Sequence, residues 1–327
     1  MLRKTILSLV AALALGATAF SLAQAQDEAG GGQSRSCPPP PPILTTEQTQ
    51  DAMRAARDRG FLWRISKDGR ESYLYGTLHA GNPQWMIGPT VLRALMVSDR
   101  VAFELDPTDP EMLKRTASNM ASGNVVLPEA LAARMRAQAE LACVAASAFA
   151  TIIPEMQGVI LHLLALRDFG VYPGYGSERL LAGLARALKK PITSLEFPDL
   201  QINALRGRNA QESIVMVEMM LTSLESGMYR EVSERLIETW AYSRLDDLQH
   251  YESWCQCTRT EFDRSRLQRI NEDRNPALVA GIAAIHESGQ RVFAAVGSLH
   301  TIGPHGVAAL LAQRGYQIEF VPFGPGG

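Results

Sequence analysis

The sequence predicts an α/β fold: a central mixed sheet carrying chemistry at its strand ends, with large helical insertions. Three observations carry this. Toward both ends of the chain, short runs of aliphatic, β-branched and aromatic residues alternate with helical segments, which is the pattern of strands and helices sharing one sheet. Between them, residues 109–169 and 200–288 form two long helical tracts; the first is richest in alanine over 130–150, with polar residues on one side. Residues 291–299 are an almost unbroken apolar run, as a strand buried on both faces requires.

In chain order, the first 25 residues read as a secretory leader. Arg3 and Lys4 supply the positive start, residues 6–22 the apolar stretch, and Ala23-Gln24-Ala25 the small-x-small cleavage site. Residues 26–44 read as a linker, with Gly30-Gly31-Gly32 for flexibility and five prolines over 38–42 as a stiff extended spacer. One domain is expected over 45–327. It opens with a helix over 47–59 capped by Thr46. Strands over 61–66 and 72–78 flank Asp68-Gly69, a hairpin signal. A short helix over 89–97 starts with Pro89, suited to a first turn. Next come a strand over 101–105, a helix over 177–187 and a strand over 191–197. The second helical tract breaks near Asn275-Pro276. A strand over 291–299, a helix over 306–314 and a strand over 316–322 close the chain.

Composition narrows the function classes. The chain has 32 basic and 34 acidic side chains, and loss of a leader carrying Arg3 and Lys4 leaves 30 against 34. That balance lacks the basic excess of a nucleic-acid binder. No segment after the leader is apolar enough to span a bilayer. Export, by default to the periplasm, makes disulfides the expected state of Cys37, Cys143, Cys255 and Cys257. Four cysteines allow three connectivities. A Cys255–Cys257 bridge closes a very small ring, so the expectation is that each bonds elsewhere, to Cys37 and Cys143. A zinc site is the alternative, but the C-x-C pair has no second pair of the usual spacing.

One motif occurs twice. Gly76-Thr77-Leu78-His79 is followed by Pro83, and Gly297-Ser298-Leu299-His300 by Pro304. Each closes an apolar strand. Alternation along a strand buries the leucine and turns the histidine to the other side. Ligands in open α/β sheets collect beyond the carboxyl ends of strands. Neighbouring strands would therefore bring His79 and His300 to one mouth, and two histidines with a carboxylate are a common divalent-metal set. Glu104 and Asp106, ending the strand over 101–105, and Glu196, ending the strand over 191–197, are the carboxylate candidates. An acid closing an apolar strand is costly to bury without a cation partner, for which Arg274 and Arg179 are available. His162 reads as a core residue, His250 and His286 as surface helix residues, and His305 as a candidate neighbour of the site. Ser177 and Ser298 are the candidate serine nucleophiles, but neither lies in a G-x-S-x-G elbow.

At these residues the chain resembles the TraB/GumN family, which is related to the Tiki membrane proteases. The matching pieces are Leu62-Trp63-Arg64-Ile65, Tyr73-Leu74-Tyr75-Gly76-Thr77-Leu78-His79, Phe103-Glu104-Leu105-Asp106, Leu195-Glu196, Arg274-Asn275 and Val296-Gly297-Ser298-Leu299-His300. The resemblance spans about residues 45–323. It implies a mixed α/β fold like that of erythromycin esterases and haem-binding iron-uptake lipoproteins, and a metal-dependent peptidase. It assigns His79, His300 and Glu104 to a divalent metal (manganese, cobalt or zinc). Glu104, Glu196 and Arg274 carry over as catalytic or pocket residues. Where many relatives show Gly-Leu/Val-Asp, this chain reads Gly176-Ser177-Glu178, and no role carries over there.

The expected activity is hydrolysis of a peptide or another small acyl substrate. A metal lowers the pKa of its bound water toward neutrality, with Glu104 or Glu196 as base. The alternative is a non-catalytic envelope protein that binds haem, a metal or a peptide at the same mouth.

Overall fold

The computed structural model describes residues 37–324 apart from Pro39, Ser122 and Asn124. The expected leader and most of the expected linker lie outside the described residues. The first helix, α1 (Thr46–Arg54), is shorter than expected and begins one residue earlier. Thr45 caps it, exchanging side-chain and backbone hydrogen bonds with Gln48. It stops before residue 59 because Asp58 serves another helix. The Asp58 carboxylate accepts from the Thr90 and Val91 amides, capping α2 (Pro89–Val97) from outside.

Strands β1 (Phe61–Lys67) and β2 (Arg70–Thr77) form the predicted antiparallel hairpin, with Lys67 opposite Arg70. Asp68 and Gly69 both have positive φ, at 53° and 73°, as a two-residue primed turn demands. β3 (Arg100–Phe103), β4 (Ile192–Ser194), β5 (Val292–Gly297) and β6 (Gln317–Phe320) complete six strands in the order β4-β3-β5-β2-β1-β6. β4, β3, β5 and β2 run parallel, while β1 is antiparallel to both β2 and β6. The sheet is therefore mixed, and all four parallel strands end at one edge. β5 is buried at every residue, with Phe293 and Val296 wholly inaccessible. Each such large side chain contributes roughly 1.5–3 kcal/mol by leaving water.

The first helical tract resolves into α3 (Pro110–Ala121), α4 (Glu129–Leu141), α5 (Ala146–Phe149) and α6 (Pro154–Ala165). α7 (Ser177–Ala187) lies against β3 and β4. The second tract becomes α8 (Pro198–Leu205), α9 (Ala210–Ser226), α10 (Met228–Ala241), α11 (Leu245–Gln249), α12 (Tyr251–Trp254), α13 (Glu261–Ile270) and α14 (Asn275–Glu287). α15 (Val307–Gln313) precedes β6. The helical insertion has its own core, where Leu131 and Met135 meet Leu161, Val217 and Leu221. Among the described residues no helix is long and apolar enough to cross a membrane.

Two sequence expectations are corrected. The disulfides join Cys37 to Cys143 and Cys255 to Cys257, so the short ring does form; Gln256 between its cysteines takes a φ of 59°. His286 is not a surface residue. It is buried between the hairpin and α14, with Nδ1 2.9 Å from the Ser72 hydroxyl and Nε2 3.1 Å from the Lys67 carbonyl oxygen.

Candidate active site at the strand ends

The two repeated motifs lie side by side, as the pairing of Thr77 with Gly297 across parallel β2 and β5 shows. Glu104 follows β3 directly, and Glu196 follows β4 by two residues. The pairing of those strands continues into the site, the Leu195 amide donating to the Phe103 carbonyl and the Glu196 amide to the Glu104 carbonyl. His79, His300, Glu104 and Glu196 thus stand at the carboxyl ends of four neighbouring parallel strands. Gly297 is the junction. A Cβ there would lie 3.2 Å from Glu104 Oε1, 3.5 Å from His79 Nε2 and 3.5 Å from His300 Cδ2, so the glycine leaves room for the three groups to converge.

Arg274, from the turn preceding α14, fills the centre. Its Nη2 donates to Glu104 Oε2 at 2.5 Å and also to Glu196 Oε2. Nε donates to Glu196 Oε1 at 3.0 Å, and Nη1 to the Ile270 carbonyl at 3.0 Å. Gln201, on α8, bridges the two carboxylates from the other side at 3.1 Å each. Burial works against the ionised form of Glu104. The Arg274 and His79 charges and the Gly297 amide outweigh it and hold the carboxyl below the usual carboxylate range. The closest of these contacts are the guanidinium and the amide, at 2.5 and 2.6 Å.

The two histidines are not equivalent. β5 ends at Gly297, and Ser298–Thr301 form a single tight helical turn that swings His300 inward. His300 is 4% exposed. Its Nε2 lies 3.1 Å from Arg274 Nη1. A guanidinium only donates, so Nε2 accepts and Nδ1 carries the proton, given to Asn275 Oδ1 at 2.7 Å. The Asn275 amide is oriented in turn by donating to the His305 carbonyl at 2.8 Å. His305 contributes this backbone atom to the network. Burial pushes the His300 pKa down, in keeping with a neutral ring.

His79 instead faces the mouth, its side chain 64% exposed, with Nδ1 2.6 Å from Glu178 Oε1. Glu178 also accepts from the Thr77 hydroxyl at 2.6 Å. Its carboxylate raises His79 to about 9. Burial favours the protonated form of Glu178, but the His79 charge and the two hydrogen bonds pull its pKa below the ordinary range. Sequence reasoning assigned Glu178 no role. The available signal was the acid two residues past Gly176, at the position of the relatives' aspartate.

Other candidates lie apart from this cluster. Asp106 pairs with Arg186 at 2.8 Å, and Arg179 donates to a backbone carbonyl. The hydroxyls of Ser298 and Ser177 serve the backbone, donating to Thr77 O and accepting from the Leu78 amide, respectively.

The donor types suit a divalent cation, but this arrangement does not. No three histidine, cysteine or acidic side chains among the described residues are grouped to hold a metal ion. Arg274 covers His300 Nε2 and Glu104 Oε2, the atoms a metal would need.

The chain is a member of a recognised class, the TraB/PrgY/gumN family, whose model matches residues 61–320. It is similar to a Danio rerio protein named Metalloprotease TIKI2, at 24% identity over 316 residues, covering 80% of this chain and 61% of the relative. The chain thus spans about three-fifths of that relative's length. No solved structure matches.

Proposed function

We propose that this protein is an exported, periplasmic hydrolase that cuts a peptide or another acyl bond at the strand-end cluster. The observation that carries the reading is the His79–Glu178 pair at the open mouth, beside the buried Glu104–Arg274–Glu196–His300 network. An imidazole whose Nδ1 is held by a carboxylate has its Nε2 aimed and its tautomer fixed, the relation of a general base to its orienting acid. In the proposed reaction, the neutral form of His79, which grows as pH rises toward its pKa of about 9, takes a proton from water at Nε2 as that water adds to the scissile carbonyl carbon. The same proton passes to the leaving group as the bond breaks. Glu178 stabilises the imidazolium between the two steps. The buried network fixes the floor of the site and keeps His300 neutral. The similarity to a metalloprotease supports the hydrolase class. Disulfides and the lack of a membrane-crossing helix among the described residues agree with export. Arg274 occupies His300 Nε2 and Glu104 Oε2, two atoms that a metal would need.

Digestion of a defined peptide mixture, read by mass spectrometry, tests this. Cleavage by the parent should be lost in His79→Ala and cut at least tenfold in Glu178→Gln. Full cleavage by His79→Ala would remove the proposal. Parallel elemental analysis should find no more manganese, cobalt or zinc in the parent than in His79→Ala.

A further inference from the structure

A narrow cleft opens beside the mouth. Its walls include Arg59, Ala80, Gly81, Trp85, Ser177 and Trp240. Ala80 and Gly81 directly follow His79, and Ser177 directly precedes Glu178. The cleft therefore begins within two residues, about 8 Å of chain, of the proposed base. Its free space is about 10 Å³, enough for one water-sized group and too little for a whole side chain.

Arg59 brings a charge that no carboxylate balances. Among the described residues it has no ion-pair partner. Its Nε is buried without a hydrogen bond, and among the described residues its guanidinium donates from Nη1 to the Arg57 carbonyl at 3.3 Å. The nearest acid in sequence, Asp58, is occupied by the amides at the start of α2. Arg57 adds a second cation two residues away, and it too has a buried, unpartnered Nε. Burial, then the Arg57 charge, lower Arg59 to about 10. The guanidinium is held over Trp85 at 5.3 Å, and Trp85 stacks on Trp240 at 5.6 Å. Trp240 is anchored by donating to the Gly76 carbonyl at 3.0 Å. A half-buried guanidinium backed by indoles, with donors to spare, is built to take a planar anion through a bidentate pair.

We infer that this cleft is a carboxylate subsite, in which Arg59 binds an acidic group of the substrate close to the bond that is cut. The inference rests on the hydrolase reading and names its substrate class: peptides with a carboxylate within about two residues of the scissile bond. The group is either a C-terminal carboxylate or an acidic side chain. One carboxylate oxygen of either is about the size of the space in the cleft, and its charge complements the unpaired cation.

The test is binding without turnover, read from tryptophan fluorescence, since Trp85 and Trp240 line the cleft. The full chain is titrated with N-acetyl-Ala-Ala, with the amide of that peptide, and with the amide of N-acetyl-Ala-Glu-Ala. One of the two acids should bind at least about tenfold more tightly than the neutral amide, and which one does so identifies the source of the carboxylate. Arg59→Met should reduce that preference to within about twofold, whereas Arg57→Met, which removes an equal charge outside the cleft lining, should retain it. Arg59→Lys, a milder change at the same site, should keep part of the preference. Equal binding of all three peptides, no saturation up to about 10 mM, or an unchanged preference in a folded Arg59→Met or Arg59→Lys would overturn the inference. An acid preference without cleavage leaves the subsite standing and removes the hydrolase reading. Cleavage without an acid preference does the reverse.

Discussion

Replacing Arg274 by methionine is the sharpest probe of the buried network. The variant keeps most of the side chain's volume and removes donations to Glu104, Glu196, His300 and the Ile270 carbonyl. Glu196 is then left 2% exposed and Glu104 8% exposed, with Gln201 as their shared side-chain donor. Breaking a buried ion pair by removing one partner costs about 3–5 kcal/mol, because the other charge stays buried. Glu104 retains the Gly297 amide at 2.6 Å, so most of the cost falls on Glu196. We expect a loss of about 4 kcal/mol at pH 7, which lowers Tm by roughly 8 °C in a chain of this size. Urea unfolding followed by circular dichroism measures it. The double variant Arg274→Met/Glu196→Gln should recover about half of the loss, since the stranded charge is gone. A single variant within about 1 kcal/mol of the parent, or strictly additive costs in the double, would refute the reasoning.

Three further outcomes are expected. Glu212 accepts from Arg208 and Arg269. Burial opposes its ionisation, but those donors hold its pKa at about 2. Its contribution is therefore fully present above the ordinary glutamate range and fades as pH falls toward 2. With Arg208 67% exposed and screened by water, about 2 kcal/mol should separate Glu212→Gln from the parent at pH 7 and vanish near pH 2, read as urea midpoints. Gly297→Ala places a methyl 3.2 Å from Glu104 Oε1 and 3.5 Å from His79 Nε2. It should cut peptide cleavage at least tenfold while moving Tm by less than about 4 °C, as a thermal scan beside the digestion would show. Cys143→Ser opens a link between residues 106 positions apart and should cost about 2–4 kcal/mol in non-reducing denaturation, a difference that a reductant abolishes.

Much of the fold could be read in the sequence because local chemistry agreed with tertiary need. Asp68-Gly69 specified the hairpin turn, Pro89 the first turn of α2, and the apolar run ending at Gly297 a strand covered on both faces. The α/β class followed from strands and helices alternating at both ends of the chain, and the family from the strand-end motifs together with the segments around Glu104, Glu196 and Arg274. The remainder depended on contacts distant in sequence. Residues 55–59 have helical composition, yet Asp58 is drawn away to cap α2. His286 sits on a helix face that local pattern leaves exposed, because the hairpin that buries it lies more than 200 positions earlier. Alternation along a strand placed both histidines at one mouth. It could not show that Ser298–Thr301 would coil and bury His300 while His79 stayed open. Arg274 was identifiable as a pocket residue, but its position at the centre of two carboxylates and an imidazole emerges only when four strand ends are brought together.

The sheet order has a consequence for how the protein comes into being. β5 belongs between β3 and β2, yet it is synthesised almost 190 residues after β3. Until it arrives, the hairpin and the β3–β4 pair have a gap between them, and their facing edges lack hydrogen-bond partners. The same strand delivers Gly297 and His300, while Arg274 and Asn275 come only shortly before it. The reactive cluster and the middle of the sheet are therefore completed in one late event. Such long-range closure is slow by nature. A growing chain therefore stays without the complete strand-end cluster until that strand is in place.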